Sequence, residues 1–416
     1  MRRNWVLTLL ISAALVGSVL AWHGVRQERE FRRLIALGDT SLARDQTSLA
    51  IEAFSGAVAL KSDSMLGYLK RGDTYRRRGD LTAALRDLRK AATIDPTAPR
   101  PNELLGDVNL ALGRFARAIE AYSGFIAIDD RSPRVLYKLA LARYRHGQVA
   151  AAIDPLRQAI AFDDRFGEAH YLLGLCFRER RNDGAALRSL LRTVTLNPAF
   201  SPARAELADL FLALGRSREA IQQLEAIAAL EPTRAERLVD VGLAYARAGR
   251  PDTAVVTLGR AAEQHPQEAA VYAALGRVWL DDAGARVDRV ALRKALEALQ
   301  PVASHENAAG ETLALHGRAL FLSGDVAAAE RALIRATSRL PVDPVTFLYL
   351  AAAAKRLAHR DVVETALARY AALAAPGAAD AAAGMSEVLD LQRQFRLTSA
   401  GSPRGAERRE VRPRGN

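Results

Sequence analysis

The chain has 416 residues, half of them apolar but only 6% aromatic, with one cysteine and a formal net charge of +12. A single cysteine excludes a disulfide framework or a thiolate metal cluster within one chain. The lysines are Lys61, Lys70, Lys90, Lys138, Lys294 and Lys355; every other basic residue is an arginine interleaved with acids. No basic stripe carries aromatics for base stacking, so nucleic acid is not an expected partner.

The N-terminus, "MRRNWVLTLLISAALVGSVLAWHG", places two arginines before an uncharged stretch from Trp5 to Trp22. As a helix this stretch spans roughly 27 Å, close to the hydrocarbon thickness of a bilayer. Trp5 and Trp22 stand where interfacial rings are favoured. Residues 1–30 are therefore expected to be a membrane anchor, with a cleaved signal peptide (Val19-Leu20-Ala21 as the small-residue site) as the rival reading. Arg2 and Arg3 favour a cytoplasmic N-terminus, whereas Arg26, Arg29, Arg32 and Arg33 on the far side oppose it. A short basic N-terminus resembles an export signal. The expected arrangement is a single-pass protein with a periplasmic body, and a cytoplasmic-facing orientation stays open.

From Phe31 onward the sequence repeats every 34 residues. Counting Ala235 as position 1, position 8 holds Gly242, position 11 Tyr245, position 15 Gly249, position 20 Ala254, position 24 Leu258, position 27 Ala261 and position 32 Pro266. The same slots hold Gly174, Phe177, Arg181, Ala186 and Leu190 two repeats earlier. They hold Gly38, Ser41, Asp45, Ala50 and Phe54 in the first. Seven repeats run from residue 31 to 268 without an insertion. The eighth, 269–309, has Gly276 and Trp279 in register and then gains seven residues around "DDAGARVDRV". Two further repeats occupy 310–376, the ninth marked by Gly317, Leu320, Gly324, Ala329 and Pro341.

Within each repeat, apolar residues recur at helical spacing over positions 3–14 and 18–30, with a turn glycine between. Small residues at positions 8 and 20 mark where the two helices approach; larger ones at 4, 7, 11 and 24 fill the remaining space. Gly38, Gly72, Gly106, Gly174, Gly242, Gly276 and Gly317 are thus read as structural contact points. Two short helices cannot bury their apolar faces alone, so the repeats stack into an all-α solenoid.

These residues resemble the tetratricopeptide repeat family over Phe31 to about Leu373. The resemblance implies a right-handed superhelix of about ten helical hairpins, whose first helices line a concave groove that holds peptides or proteins. The family's carboxylate clamp needs Lys and Asn at positions 5 and 9 of one repeat, and further Asn, Lys and Arg in the next two. Here those slots read Ile35 and Asp39, Leu69 and Asp73, Glu103 and Asp107, Tyr137 and Leu141, which disfavours such a pocket.

The groove candidates are Asp39, Asp73, Asp107 and Asp209 at position 9, with Tyr137 and Tyr171 at position 5 and Tyr144 at position 12. The aspartates form either an acidic ladder or local ion pairs; the tyrosines are either interface anchors or packing. No Walker loop, dinucleotide fingerprint, nucleophile elbow or zinc His pair is present. Cys176 reads as a buried hydrophobe, and His170 and His316 as packed histidines. Arg71–Asp73, "RGD", lies inside a predicted helix.

No cofactor, metal, catalytic residue or small-molecule substrate is expected. The seven extra residues either lengthen the second helix or swell the loop before it; "DDAGA" favours a longer loop before a displaced helix starting near Asp288, between rigid segments 31 to about 280 and about 310 to 373. Residues 377–398 read as a capping helix and 399–416 as a disordered basic tail. The function read from the sequence is a non-catalytic, membrane-tethered scaffold in cell-envelope assembly or secretion. A soluble exported adaptor and a regulatory enzyme subunit are the alternatives.

Overall fold

The structure is a computed structural model that describes residues 2–286 and 289–373, without the side chains of 2–14, 16, 17, 19 and 283–286. Among the described residues there are 20 helices and no strand. The first helices of successive repeats are α1 (Arg2–Ala43), α3 (Met65–Arg78), α5 (Pro99–Ala111), α7 (Pro133–Arg145) and α9 (Gly167–Glu179). They continue as α11 (Ser201–Ala213), α13 (Ala235–Arg247), α15 (Ala269–Arg286), α17 (Gly310–Ser323) and α19 (Val345–Arg356). The second helices are α2 (Thr47–Leu60), α4 (Leu81–Ile94), α6 (Phe115–Ile126), α8 (Val149–Phe162) and α10 (Asp183–Leu196). After them come α12 (Ser217–Leu230), α14 (Pro251–Gln264), α16 (Arg289–Ser304), α18 (Val326–Thr337) and α20 (Arg360–Leu373).

From α3 to α15 every first helix begins at position 1, and from α2 to α14 every second helix begins at position 17. What separates them is one left-handed residue at position 15. Glycine supplies it at Gly79, Gly113, Gly147, Gly215, Gly249 and Gly324. Where glycine is missing the conformation persists, with φ 57° at Asp45, 55° at Arg181 and 63° at Ala358. The turn is therefore imposed by packing of the two helices, even where the local residue disfavours it.

The hairpin contact itself is made by positions 8 and 24. A Cβ built on Gly242 would stand 2.6 Å from Leu258, one on Gly174 2.8 Å from Leu190, and one on Gly317 2.6 Å from Leu333. Gly38 faces Phe54 in the same way, Gly72 Leu88, Gly106 Tyr122 and Gly276 Leu299. The position 24 partners are fully buried, as is position 20 at Ala50, Ala84, Ala118, Ala152, Ala186, Ala220 and Ala254. Each buried Leu or Phe contributes about 1.5–3 kcal/mol, so this column is a main source of each hairpin's stability.

The helices form two compact bodies, Met1–Ala203 and Arg204–Asn416, and the division falls inside α11. Both are held by clusters that join a second helix to the next first helix. Ala84, Leu85 and Leu88 pack with Leu104 and Val108 in the first body. Ala254 and Leu258 pack with Ala274 and Val278 in the second.

Two expectations are corrected. The N-terminal segment is not a separate helix preceding the first repeat. Helix α1 runs unbroken for 42 residues through residues 30 and 31, because neither Gly nor Pro interrupts Val25–Leu37. Among the described residues, no helix is long and apolar enough to cross a membrane. Most side chains of residues 5–22 lie outside the described set.

"DDAGA", residues 281–285, is helical rather than a loop. It extends α15 to 18 residues where α13 has 13, and α16 has 16 where α14 has 14. Leu280 is fully buried with Leu299 and Ala319, and Asp281 pairs with Arg318 at 3.6 Å, so tertiary contacts hold the added turn. The expected capping helix at 377–398 and basic tail at 399–416 lie outside the described residues.

Candidate protein-interaction surface

Positions 5, 9 and 12 of the first helices carry the side chains that the hairpin contacts leave over. In the first body these include Asp39, Asp73 and Asp107, and each is satisfied internally. Lys70 donates to Asp39 at 2.8 Å from the following repeat. Arg76 and Arg77 bracket Asp73 at 2.7 and 3.1 Å. Asp107 accepts from the Tyr122 hydroxyl at 2.8 Å and pairs with Lys138 at 2.8 Å. The acids are therefore spent on local and inter-repeat pairing, and a free acidic ladder does not form across these three repeats. Asp209, in the second body, is exposed.

Lys138 also donates to Glu103 at 2.7 Å, and Arg100 pairs with the same carboxylate. Burial opposes charge on Glu103. The Lys138 hydrogen bond and charge, with Arg100, outweigh it and hold the carboxyl below its usual range. The Tyr122 hydroxyl is pushed far upward, first by burial and then by Asp107, and stays a neutral donor. This cluster joins α5, α6 and α7. Its sequence signal was a lysine 31 residues after an aspartate, Asp39 with Lys70 and Asp107 with Lys138. Arg71 of the "RGD" is likewise engaged, with Asp87 at 2.6 Å, and is not displayed.

The tyrosines behave differently. Tyr137 sets its ring 5.1 Å from Phe166, and Tyr171 repeats the arrangement one repeat later against Phe200 at 5.0 Å. Burial first, then the neighbouring Glu179 carboxylate, raises the Tyr144 hydroxyl. All three are half-buried, so one side of each is anchored and the remainder is open to solvent. Rigid, partly exposed aromatic rings at one helix face are the side chains that dominate protein interfaces.

In the second body, α15, α17 and α19 border a half-open cleft of about 240 Å³ lined by Arg277, Asp281, Glu311, Arg318, Thr346 and Tyr349, among others. Arg277 pairs with Glu311. The Arg318 guanidinium lies 5.5 Å over the Tyr349 ring, and its Nε is buried without a hydrogen-bond partner. Burial raises the Asp281 carboxyl despite Arg318 and Arg277. Sequence reasoning missed this cluster because Asp281 was read as part of a loop.

Cys176 is fully buried and burial pushes its thiol up to about 12, so no thiolate is available. His170 contacts the Asp164 carbonyl, and burial, followed by Arg335, lowers His316.

Residues 72–113 match a family model described as TPR repeat, and residues 137–201 and 205–269 match one described as tetratricopeptide repeat. These stretches are similar to tetratricopeptide repeats. A curated relative, small glutamine-rich tetratricopeptide repeat-containing protein 2 of Mycosarcoma maydis, is 29% identical over 90 residues. The match spans 22% of this chain and 26% of the relative, about a quarter of its length.

Among solved structures, MamA is 27% identical, with a TM-score of 0.38 over 40% of this chain and 96% of MamA. YrrB, described as a TPR protein with an unusual peptide-binding site, is 18% identical, with a TM-score of 0.41 over 44% of this chain and 94% of its own. A tetratricopeptide repeat protein from Parabacteroides merdae is 16% identical, with a TM-score of 0.44 over 60% of this chain and 99% of its own.

Proposed function

We propose that this chain is a non-catalytic scaffold that holds peptide or protein partners against the first-helix face of its tetratricopeptide repeats. The observation that carries the proposal is the tyrosine set on α7 and α9. Tyr137 and Tyr171 present the same half-buried ring at a 34-residue translation, with Tyr144 between them. An extended peptide needs such evenly spaced anchors, and the paired charges around them give register without requiring a charged ligand.

The scaffold is proposed to be tethered to a membrane through residues 5–22, in cell-envelope assembly or secretion, with the repeats on the periplasmic side. Exposed Leu15, Leu20, Trp22 and Val25 on α1 support the tether, since a water-facing helix has no use for them.

The test is a photocrosslinker placed at Tyr171, compared with one at Leu191, which is exposed on α10. A partner segment captured at 171 but not at 191, whose synthetic peptide binds and is weakened at least tenfold by Tyr137→Ala/Tyr171→Ala, is the expected result. Equal capture at both positions would overturn the assignment.

A further inference from the structure

We infer that an arginine collar on α1 docks onto anionic phospholipid headgroups. This inference rests on the membrane-tether reading above. On helix α1, Leu15, Leu20, Trp22 and Val25 are exposed, and the helix continues directly into Arg26, Arg29, Arg32 and Arg33. At 1.5 Å per residue, these four stand roughly 6 to 17 Å along the helix from Trp22. That interval is the headgroup layer and the first Debye length beyond it.

The helix is not free to swing the collar away. Gln27 donates to the Leu60 carbonyl, Glu28 pairs with Lys61, and Lys61 lies 5.2 Å over the Phe31 ring. The end of α2 is thus clasped to the middle of α1, and Lys61 joins the basic group.

The charge is only partly neutralised from within. Arg32 pairs with Glu28, and Arg33 approaches Glu30 at 3.5 Å with 78% of its side chain exposed. Among the described residues, Arg26 and Arg29 have no carboxylate within ion-pair distance; Arg26 instead lies 5.4 Å over the Trp22 ring. Arg26 and Arg33 are seven residues apart and share a helix face, with Arg29 beside them. Five basic groups against Glu28 and Glu30 leave a net positive band.

Guanidinium groups bind phosphate bidentately, and a band of them next to an interfacial tryptophan complements an anionic headgroup layer. A protein partner would need an acidic surface next to an apolar one, whereas an anionic bilayer supplies both layers in the order in which α1 presents Leu20, Trp22 and Val25 and then the arginines. The lipid is therefore the occupant assigned.

The test uses the full chain with Trp5→Phe, reconstituted into vesicles of brominated phosphatidylcholine and phosphatidylglycerol in varied proportions. Trp22 is then the tryptophan positioned for quenching by brominated chains. The expected result is a several-fold preference for phosphatidylglycerol at low salt. It should fall to near unity in Arg26→Gln/Arg29→Gln/Arg33→Gln and in about 0.5 M salt. Quenching with the same preference in parent and variant would overturn the collar while leaving the tether intact. Absence of quenching in any composition would overturn the tether, and the collar with it.

Discussion

Leu258 fills the space that a Cβ on Gly242 would take, with its Cγ 2.6 Å from that point. The same pairing of positions 8 and 24 recurs at Gly38, Gly72, Gly106, Gly174, Gly276 and Gly317, so these hairpins are locked by a missing side chain. Gly106→Ala is therefore expected to destabilise by about 1–3 kcal/mol, because the Tyr122 ring it meets is fully buried and has nowhere to move. Gly259→Ala, on α14 with nothing within 4 Å of its Cβ, should instead stabilise by about 0.5–1 kcal/mol. Urea denaturation of both variants checks the pair. Equal effects would remove the contact as the reason for glycine at position 8.

Arg181 occupies the left-handed turn position at φ 55°, where most repeats have glycine. Arg181→Gly is expected to raise stability by up to about 1 kcal/mol, the relief of strain being partly offset by the freer unfolded chain. Gly147→Ala, at φ 79°, should lower it by about 1 kcal/mol. Thermal unfolding decides both signs.

How much of this was legible from the sequence follows from the range of each interaction. The hairpins were legible because position 8, position 15 and position 24 each impose a residue size or a backbone conformation that recurs in most repeats. Helix α1 was read as two pieces because composition changes at residue 30, yet no residue there stops a helix. The "DDAGA" segment looked like a turn from its Gly and two Asp, and tertiary contacts of Leu280 and Asp281 overrode that preference. Of the two readings left open for the aspartates, ion pairing holds at Asp39, Asp73 and Asp107. The partners of Asp39 and Asp107 lie 31 residues away on the next first helix, so that pairing appears only when repeats are laid beside one another, whereas Asp73 pairs within its own helix with Arg76 and Arg77. The tyrosines pack on one side against the next repeat and are half-buried, an arrangement that leaves the interface role proposed above to be tested.

Glu103 gives a pH dependence of defined sign. Its carboxyl is held below its ordinary value of 4.5 by Lys138 and Arg100 against the opposing effect of burial. A depressed acid contributes stability that is fully present above the unfolded value and is lost as pH falls through the folded one. The parent should therefore lose stability on acidification below about pH 4.5, and Glu103→Gln should show a smaller loss over that range. At pH 7 the variant is expected to be less stable by about 1–3 kcal/mol, since Lys138 keeps Asp107 but loses its second carboxylate. Urea midpoints from pH 3 to 7 measure this, and parallel curves would exclude Glu103 as the source.

Leu280 tests how the eighth repeat absorbs its seven additional residues. It is fully buried beside Leu299 and Ala319, one residue before the Asp281 that faces Arg318, and together they fix the added turn of α15. Leu280→Ala should create a cavity costing about 2–5 kcal/mol. Repeat arrays couple chiefly through nearest neighbours, so the faster exchange should be concentrated in α15, α16 and α17 and leave α13 close to the parent. Asp281→Asn keeps the volume and should leave exchange in the body of α15 unchanged, although it weakens the pairing with Arg318. Hydrogen exchange followed by mass spectrometry reads both variants. Protection lost evenly from α13 to α20 in Leu280→Ala would show that the extension is held by the whole body rather than by its own neighbours.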